Sequence, residues 1–271
     1  MMANIHESIY KMRFLDEMAD QRTKIHQIHP LSKLLVTLTY IFVVISFSKY
    51  EISQLLPFLF YPILLFALAE IPVIPMLKRL LVAVPFVIGI GIFNPIFDRN
   101  VVLLVGDLPI TGGWISFLSL IIKCGLTVLA ALLLLATTGM DRLALALRMV
   151  KVPKIFVLQL LLTYRYITVL IEEAGRIYHA YMLRAPGQKG IQLKVWGSLA
   201  GQLLLRTYER AMRVYQAMVL RGFQGEYHPG GTKGLNHQDL IYMVSWILFF
   251  FLARLYDLPA LIGAVIIGVI K

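Results

Sequence analysis

Two arginines at matched positions carry the strongest chemical signal in this chain. Glu172, Ala174, Arg176, Tyr178, Ala180, Leu183 and Arg184 recur as Glu209, Ala211, Arg213, Tyr215, Ala217, Leu220 and Arg221, at a constant offset of 37 residues. Both stretches read E-x-A-x-R-x-Y-x-A-x-x-L-R and then a small residue, Ala185 or Gly222. Ordinary residue frequencies predict about one coincidence in such a window, so seven imply a shared structural role. A single cation in the last turn of a helix is explained by the helix dipole, worth about 0.3–1 kcal/mol. Two equivalent tips with the same preceding sequence fit a partner with two equivalent pockets, where a buried arginine acts as a binding hot spot.

Other residues that could do chemistry lack the company they need. A nucleotide-binding loop needs G-x-x-x-x-G-K-[ST], so that backbone amides and a lysine cradle phosphates. The Gly225–Gly234 stretch has Lys233 in the order G-G-T-K and fails that pattern. The six histidines lack carboxylate or cysteine neighbours at metal spacing, with His26 and His29 at i, i+3 the best pair. No metal site, catalytic residue or cofactor is therefore expected. Cys124 is the one cysteine, which excludes a disulfide framework. Lys123 is the one charge inside the apolar runs of the first half, and either snorkels, faces the bundle interior or lines an ion path.

The elements that must position the arginines follow from composition. Hydrophobic residues make up 59% of the 271 and charged ones 15%, against about 25% charged in soluble domains. Long apolar runs call for a bilayer, where a helix needs about 20 apolar residues to cross. Leu31–Ser48, Ile52–Ala69, Leu80–Phe97 and Ile115–Thr138 are the first four candidates, and a fifth starts near Leu240 and reaches Ile270 as one kinked helix or two half-spans. The expected fold is all-α and polytopic, with about five transmembrane helices. Residues 1–139 would hold an N-terminal arm and four spans, 140–239 cytoplasmic helices, and 240–271 the last span. No cleavable signal peptide is apparent in the first thirty residues.

Charge sets the expected orientation. The net charge is +11, and residues 140–239 hold fourteen basic and six acidic side chains. Basic residues gather in the N-terminal arm, at Lys78 and Arg79 and in 140–239, which places these inside and the Asp98–Gly113 loop outside. That bias belongs to a membrane protein rather than to a nucleic-acid binder.

Within 140–239 three helices are expected. One starts at Asp141, one runs from Pro153 to a stop at Pro186 and Gly187, and one runs from Val195 to Arg221 with Gly222 after it. Ile167, Ile171, Ala174, Tyr178 and Tyr181 form one apolar stripe, and Leu204, Tyr208, Ala211, Tyr215 and Met218 another. The stripes could pack the two long helices on each other or on the spans. Gly197 and Gly201, four apart, would permit a close crossing. The apolar run Ile155–Ile171 could be read as another span, but Arg165 would cost about 2.5–3.5 kcal/mol there. A buried, membrane-adjacent helix is the expectation.

At these residues the chain resembles the transmembrane coupling component of energy-coupling factor (ECF) transporters, in the CbiQ branch associated with cobalt uptake. The resemblance runs from about Ile25 to Tyr227. It is anchored by His29-Pro30-Leu31-Ser32-Lys33-Leu34, Ala136-Thr137-Thr138 with Asp141-Arg142-Leu143, Val152-Pro153, Leu162-Thr163-Tyr164-Arg165-Tyr166, the Glu172–Arg184 run and Ser198-Leu199 through Arg221-Gly222-Phe223. It implies a non-catalytic scaffold in the plasma membrane. Two ATP-binding-cassette (ABC) ATPase subunits and a substrate-binding integral membrane subunit would be its partners, with the lipid bilayer as its solvent. In that family two Ala-Arg-Gly motifs end the coupling helices and dock into the ATPases. They map onto Leu183-Arg184-Ala185 and Leu220-Arg221-Gly222, with Leu for Ala in both and Ala185 for Gly in the first. Cobalt is implied as cargo, with nickel or a vitamin as alternatives. A stand-alone secondary transporter would want several charges converging at midplane, where Lys123 stands alone. A membrane enzyme would want a nucleophile–base set, which the spans lack.

Overall fold

The computed structural model describes residues 16–21, 23–98, 101–105, 108–185, 187–188, 190–225 and 234–256. The chain packs as two compact units, one of residues 18–139 with 233–271 and the other of residues 1–17 with 140–232.

The first unit is the apolar one. It opens with α1 (Lys24–Gln27) and α2 (Pro30–Ile45). The start of α2 is built by its own sequence. The His29 Nδ1 accepts the Leu31 N–H at 3.2 Å, and Pro30 sits in the first turn, where its missing N–H costs nothing. A 3₁₀ stretch, Ser53–Leu59, holds Pro57 and leads straight into α3 (Phe60–Ala69). Glu70, in left-handed backbone, ends α3.

The third apolar stretch is broken rather than continuous. It comprises α4 (Val73–Leu80), α5 (Val84–Gly91) and α6 (Phe93–Phe97). Pro85 in the first turn of α5 lacks the N–H that would continue α4 through it. Lys78 and Arg79, expected in a connection, lie in the last turn of α4. Strands β1 (Val101–Val105) and β2 (Leu108–Thr111) pair antiparallel, with Val105 opposite Leu108 and an irregularity between Val101 and Leu103. This pair is the one β-pairing among the described residues, and it occupies the stretch expected as an external loop. The unit continues with α7 (Gly112–Thr138), and α11 (His237–Leu255) closes it. Tyr256 is extended, so α11 stops there, and the expected continuation to Ile270 lies outside the described residues.

An aromatic cluster from α2, the 3₁₀ stretch, α3 and α11 forms the core. Tyr40, Phe58, Tyr61 and Phe250 are all buried, with the Tyr40 and Tyr61 rings 4.7 Å apart and Tyr61 edge-on to Trp246 at 4.8 Å. The Tyr40 hydroxyl donates to the Phe58 carbonyl at 3.1 Å, so its polar end is satisfied without water. Outward-facing Phe42, Ile63, Phe86 and Ile90 are exposed. A face of that kind is stable against hydrocarbon and costly against water. Val73–Phe97, Gly112–Thr138, Lys154–Arg184 and His237–Leu255 are long and apolar enough to cross a membrane, and Pro30–Ile45 and Ser53–Ala69 are shorter apolar helices. The chain is an all-α, polytopic membrane protein.

The second unit contains α8 (Met140–Met149), α9 (Lys154–Arg184) and α10 (Leu193–Leu220). Asp141 stands in the first turn of α8, where an anion meets the positive end of the dipole. Lys151 turns through left-handed backbone, and extended Pro153 opens α9. Only Val157 and Ile177 of α9 are fully buried and most of its other residues are partly covered, so the helix expected to be buried is only half covered. The reason is a shortage of chain: among the described residues, α8 and α10 are the only other long elements in this unit to cover its 31 residues.

Candidate functional site

The two helix tips emerge from the fold as separate, exposed ends with different backbones. At the second, Arg221 follows the last helical residue and Gly222 takes φ +81°, a conformation natural to glycine. The Gly222 N–H bonds the Val219 carbonyl at 2.9 Å, and the Phe223 N–H bonds that of Met218 at 3.0 Å. These two bonds make a complete Schellman ending. At the first tip Arg184 is the last helical residue and Ala185, at φ −124°, donates to the Tyr181 carbonyl at 3.1 Å. The sequence explains the contrast. Position 186, the counterpart of Phe223, is a proline and has no N–H to donate.

Both arginines are exposed, and among the described residues neither makes an ion pair. Each is preceded by a leucine in the open, Leu183 at 82% and Leu220 at 87% exposure. Beyond the first tip the Tyr181 hydroxyl donates to the Gln188 side-chain oxygen at 2.7 Å and ties the connection back onto α9. An exposed Leu–Arg pair offers an apolar anchor and a five-donor fork to a concave partner.

The supporting repeat is less symmetrical than its letters. Arg213 pairs with Glu209 one turn away at 3.7 Å, but Arg176 pairs with Glu173, not with Glu172. Glu173 also accepts the Arg206 Nη1 at 2.7 Å, which joins α9 to α10. The hydrogen bonds from Arg176 and then Arg206 hold the Glu173 carboxyl below its usual range. The doublet Glu172-Glu173 was the available signal, but Glu173 has no acidic counterpart in the second copy, where Arg210 stands.

Tyr178 is half-buried and Tyr215 exposed. The second apolar stripe is therefore not the packing face, with Leu204, Tyr208 and Tyr215 all in the open. Apart from Gly201, the partly covered residues of α10 are Val195, Leu199, Leu203, Thr207, Val214 and Met218. They share one side of the helix with Arg206, and each residue step turns the face by about 100°. A Cβ on Gly197 or Gly201 would meet nothing within 4 Å, so the expected close crossing is not made among the described residues. The open face of α10 thus runs from Gly197 and Gly201 through Leu204 and Tyr208 to Tyr215.

Three polar positions have structural duties that their types alone did not reveal. Lys33 is buried and donates to the Thr137 carbonyl at 2.8 Å, at the end of α7. Asp239 accepts the His29 backbone N–H at 2.7 Å and the Asn236 N–H at 2.8 Å, fastening the start of α2 to the start of α11. The N-x-x-D capping pattern at Asn236 was readable in advance, but its distant partner His29 was not. Lys123 donates to the Phe47 and Ser48 carbonyls at 2.6 and 3.2 Å, holding the turn that follows α2. The His26 Nδ1 engages Thr23, and among the described residues no three His, Cys, Asp or Glu gather as metal ligands.

A model of the CbiQ family, described as cobalt transport protein, matches residues 21–230. An uncharacterized protein of Methanocaldococcus jannaschii is 26% identical over 237 residues, covering 83% of this chain and 81% of that one. The nickel permease LarQ of Lactiplantibacillus plantarum is 27% identical over 119 residues, covering 42% of this chain and 44% of that protein.

Proposed function

The chain belongs to the CbiQ family of cobalt transport proteins, and from that premise we propose that it is the coupling subunit of an ECF-type importer in the plasma membrane. Residues 140–239 form its cytoplasmic coupling segment. Arg184 and Arg221, with Leu183, Leu220, Ala185 and Gly222, seat in two ABC ATPase subunits. The observation that carries this reading is the pair of long helices ending in matched, exposed Leu–Arg tips. Glu173, bridged to Arg206, helps α9 and α10 move as one lever when the ATPases close, a shear motion. The open α10 face from Gly197 to Tyr215 is a docking surface for the substrate-binding membrane subunit, since its two glycines admit a close helix approach. The chain itself performs no ATP hydrolysis and holds no cofactor in this reading.

The cargo is a divalent transition-metal ion, with cobalt first by the family's description. The similarity to a nickel permease keeps nickel as a second reading. The test is to express the chain with its native partners, purify through this subunit, identify the co-purifying ATPases and measure uptake of cobalt and nickel tracers. Recovery of two ATPases with ATP-dependent uptake of either metal is expected. Uptake by the chain alone, without an ATPase, overturns the coupling role.

A further inference from the structure

At the end of the first unit away from Gly139, the end of α6, the start of α7 and the segment after α2 flank an open pocket of about 400 Å³, lined by Lys49, Tyr50, Asn94, Phe97, Asp98 and Ser116. That volume falls within the roughly 300–1,000 Å³ of small-molecule pockets. The lining is zwitterionic. The Lys49 Nζ lies 3.1 Å from the Asp98 Oδ2, which also accepts the Tyr50 hydroxyl at 2.8 Å. The hydrogen bond to Tyr50 and then that to Asp98 hold the Lys49 ammonium above its usual range, so it stays charged.

One hydroxyl gives the cavity a purpose beyond that surface pair. Ser116 is 5% exposed, lines the cavity, and its Oγ has no hydrogen-bond partner. A buried hydroxyl without a partner costs about 1–3 kcal/mol, which a polar occupant of the cavity would remove. A bare metal ion is a poor occupant, since Lys49 repels it and Asp98 is the sole carboxylate among the described lining residues. A simple anion would meet Asp98. A group with an N–H-bearing cation and an anion suits both charges.

The position selects its source. The cavity opens where spans end, with Phe97 81% exposed on its wall and Trp114 exposed in the first turn of α7. Exposed Trp and Tyr, here Trp114 and Tyr50, mark the bilayer interface. We propose that this cavity binds the phosphoethanolamine headgroup of a phospholipid, its phosphate on Lys49 and its ammonium on Asp98, Asn94 and Ser116. A choline headgroup has no N–H to give these acceptors and is disfavoured. The site is independent of the coupling role and stands or falls separately from it.

Native mass spectrometry of the full chain tests this, with phosphatidylethanolamine, phosphatidylcholine and phosphatidylglycerol of matched acyl chains in competition. Retention of the ethanolamine lipid about tenfold over the choline lipid is expected. Ser116→Ala should lower it about fivefold, the loss of one ammonium–hydroxyl hydrogen bond, and Lys49→Ala about tenfold, the loss of the cation that meets the phosphate. Ser32→Ala, which removes an orphaned buried hydroxyl at the other end of the unit, should leave it unchanged. Ser116→Ala also removes an unsatisfied group, so the lipid-free chain should unfold no earlier than wild type. Equal retention of the three lipids, or wild-type retention by both cavity variants, overturns the proposal. Saturable binding of soluble glycerophosphoethanolamine without preference for the lipid assigns the cavity to a free metabolite and overturns it too.

Discussion

Arg184 and Arg221 are alike in type and setting, but their backbones differ, and the difference predicts unequal roles. Charge reversal of either should weaken ATPase docking. An arginine hot spot is worth about 2 kcal/mol or more, a loss of about 30-fold in affinity. Simple helix capping predicts about 1 kcal/mol of local stability with the complex intact. ATPase co-purification with Arg184→Glu, Arg221→Glu and the double variant separates the two, and a double variant that keeps both ATPases and transports at the wild-type rate refutes the twin-tip idea. The larger single loss is expected at Arg221, because the Schellman bonds at Gly222 and Phe223 hold that tip in one geometry. Gly222→Ala tests the cause. A Cβ at φ +81° costs about 1–2 kcal/mol, with open space around it, so the variant should weaken docking while α10 keeps its helicity by circular dichroism. Ala185→Gly, at φ −124°, should change docking little.

Between helices, the sequence was readable in its spacing and unreadable in its phase. The repeat located α9, α10 and both tips to within about two residues, because prolines and glycines stop helices by local chemistry that needs no tertiary partner. Which face of α10 is covered was not legible from the stripe, since both candidate faces carry apolar residues and only the fold selects one. Glu173 was missed for the same reason: its partner Arg206 lies 33 residues away and outside the repeat. A double-mutant cycle of Glu173→Gln and Arg206→Gln measures that link. Its exposed setting predicts a coupling of about 0.2–1 kcal/mol that shrinks in high salt. The Glu173 pKa is lowered by folding, so the contribution is present above its usual value near 4.5 and fades as pH falls below it. A coupling unchanged between low and high salt would show that the carboxylate charge is not what joins the helices.

For the whole molecule the open question of physics is which helices lie in the bilayer, and α9 decides it. By length and hydropathy α9 belongs with the spans. At 1.5 Å per residue its 31 residues extend about 46 Å, longer than a hydrocarbon core of about 30 Å. Its charges argue the other way. Arg165 sits mid-helix, where a bilayer would impose a penalty of about 2.5–3.5 kcal/mol, and Glu172, Glu173, Arg176 and Arg184 follow within the second half. The coupling reading needs α8, the loop after α9 and both tips on one side of the membrane. If α9 crosses instead, Val150 before it and Gln188 after it face opposite compartments. Single cysteines at Val150, Gln188 and Glu51, introduced after Cys124→Ser, can be labelled with an impermeant maleimide in intact cells and in inverted vesicles. Val150→Cys and Gln188→Cys should both react only in inverted vesicles, and Glu51→Cys, between the first two apolar helices, only in intact cells. Labelling of Gln188→Cys from outside with Val150→Cys protected makes α9 a true span, places the Arg184 tip outside, and rules out docking of both tips on a cytoplasmic ATPase pair.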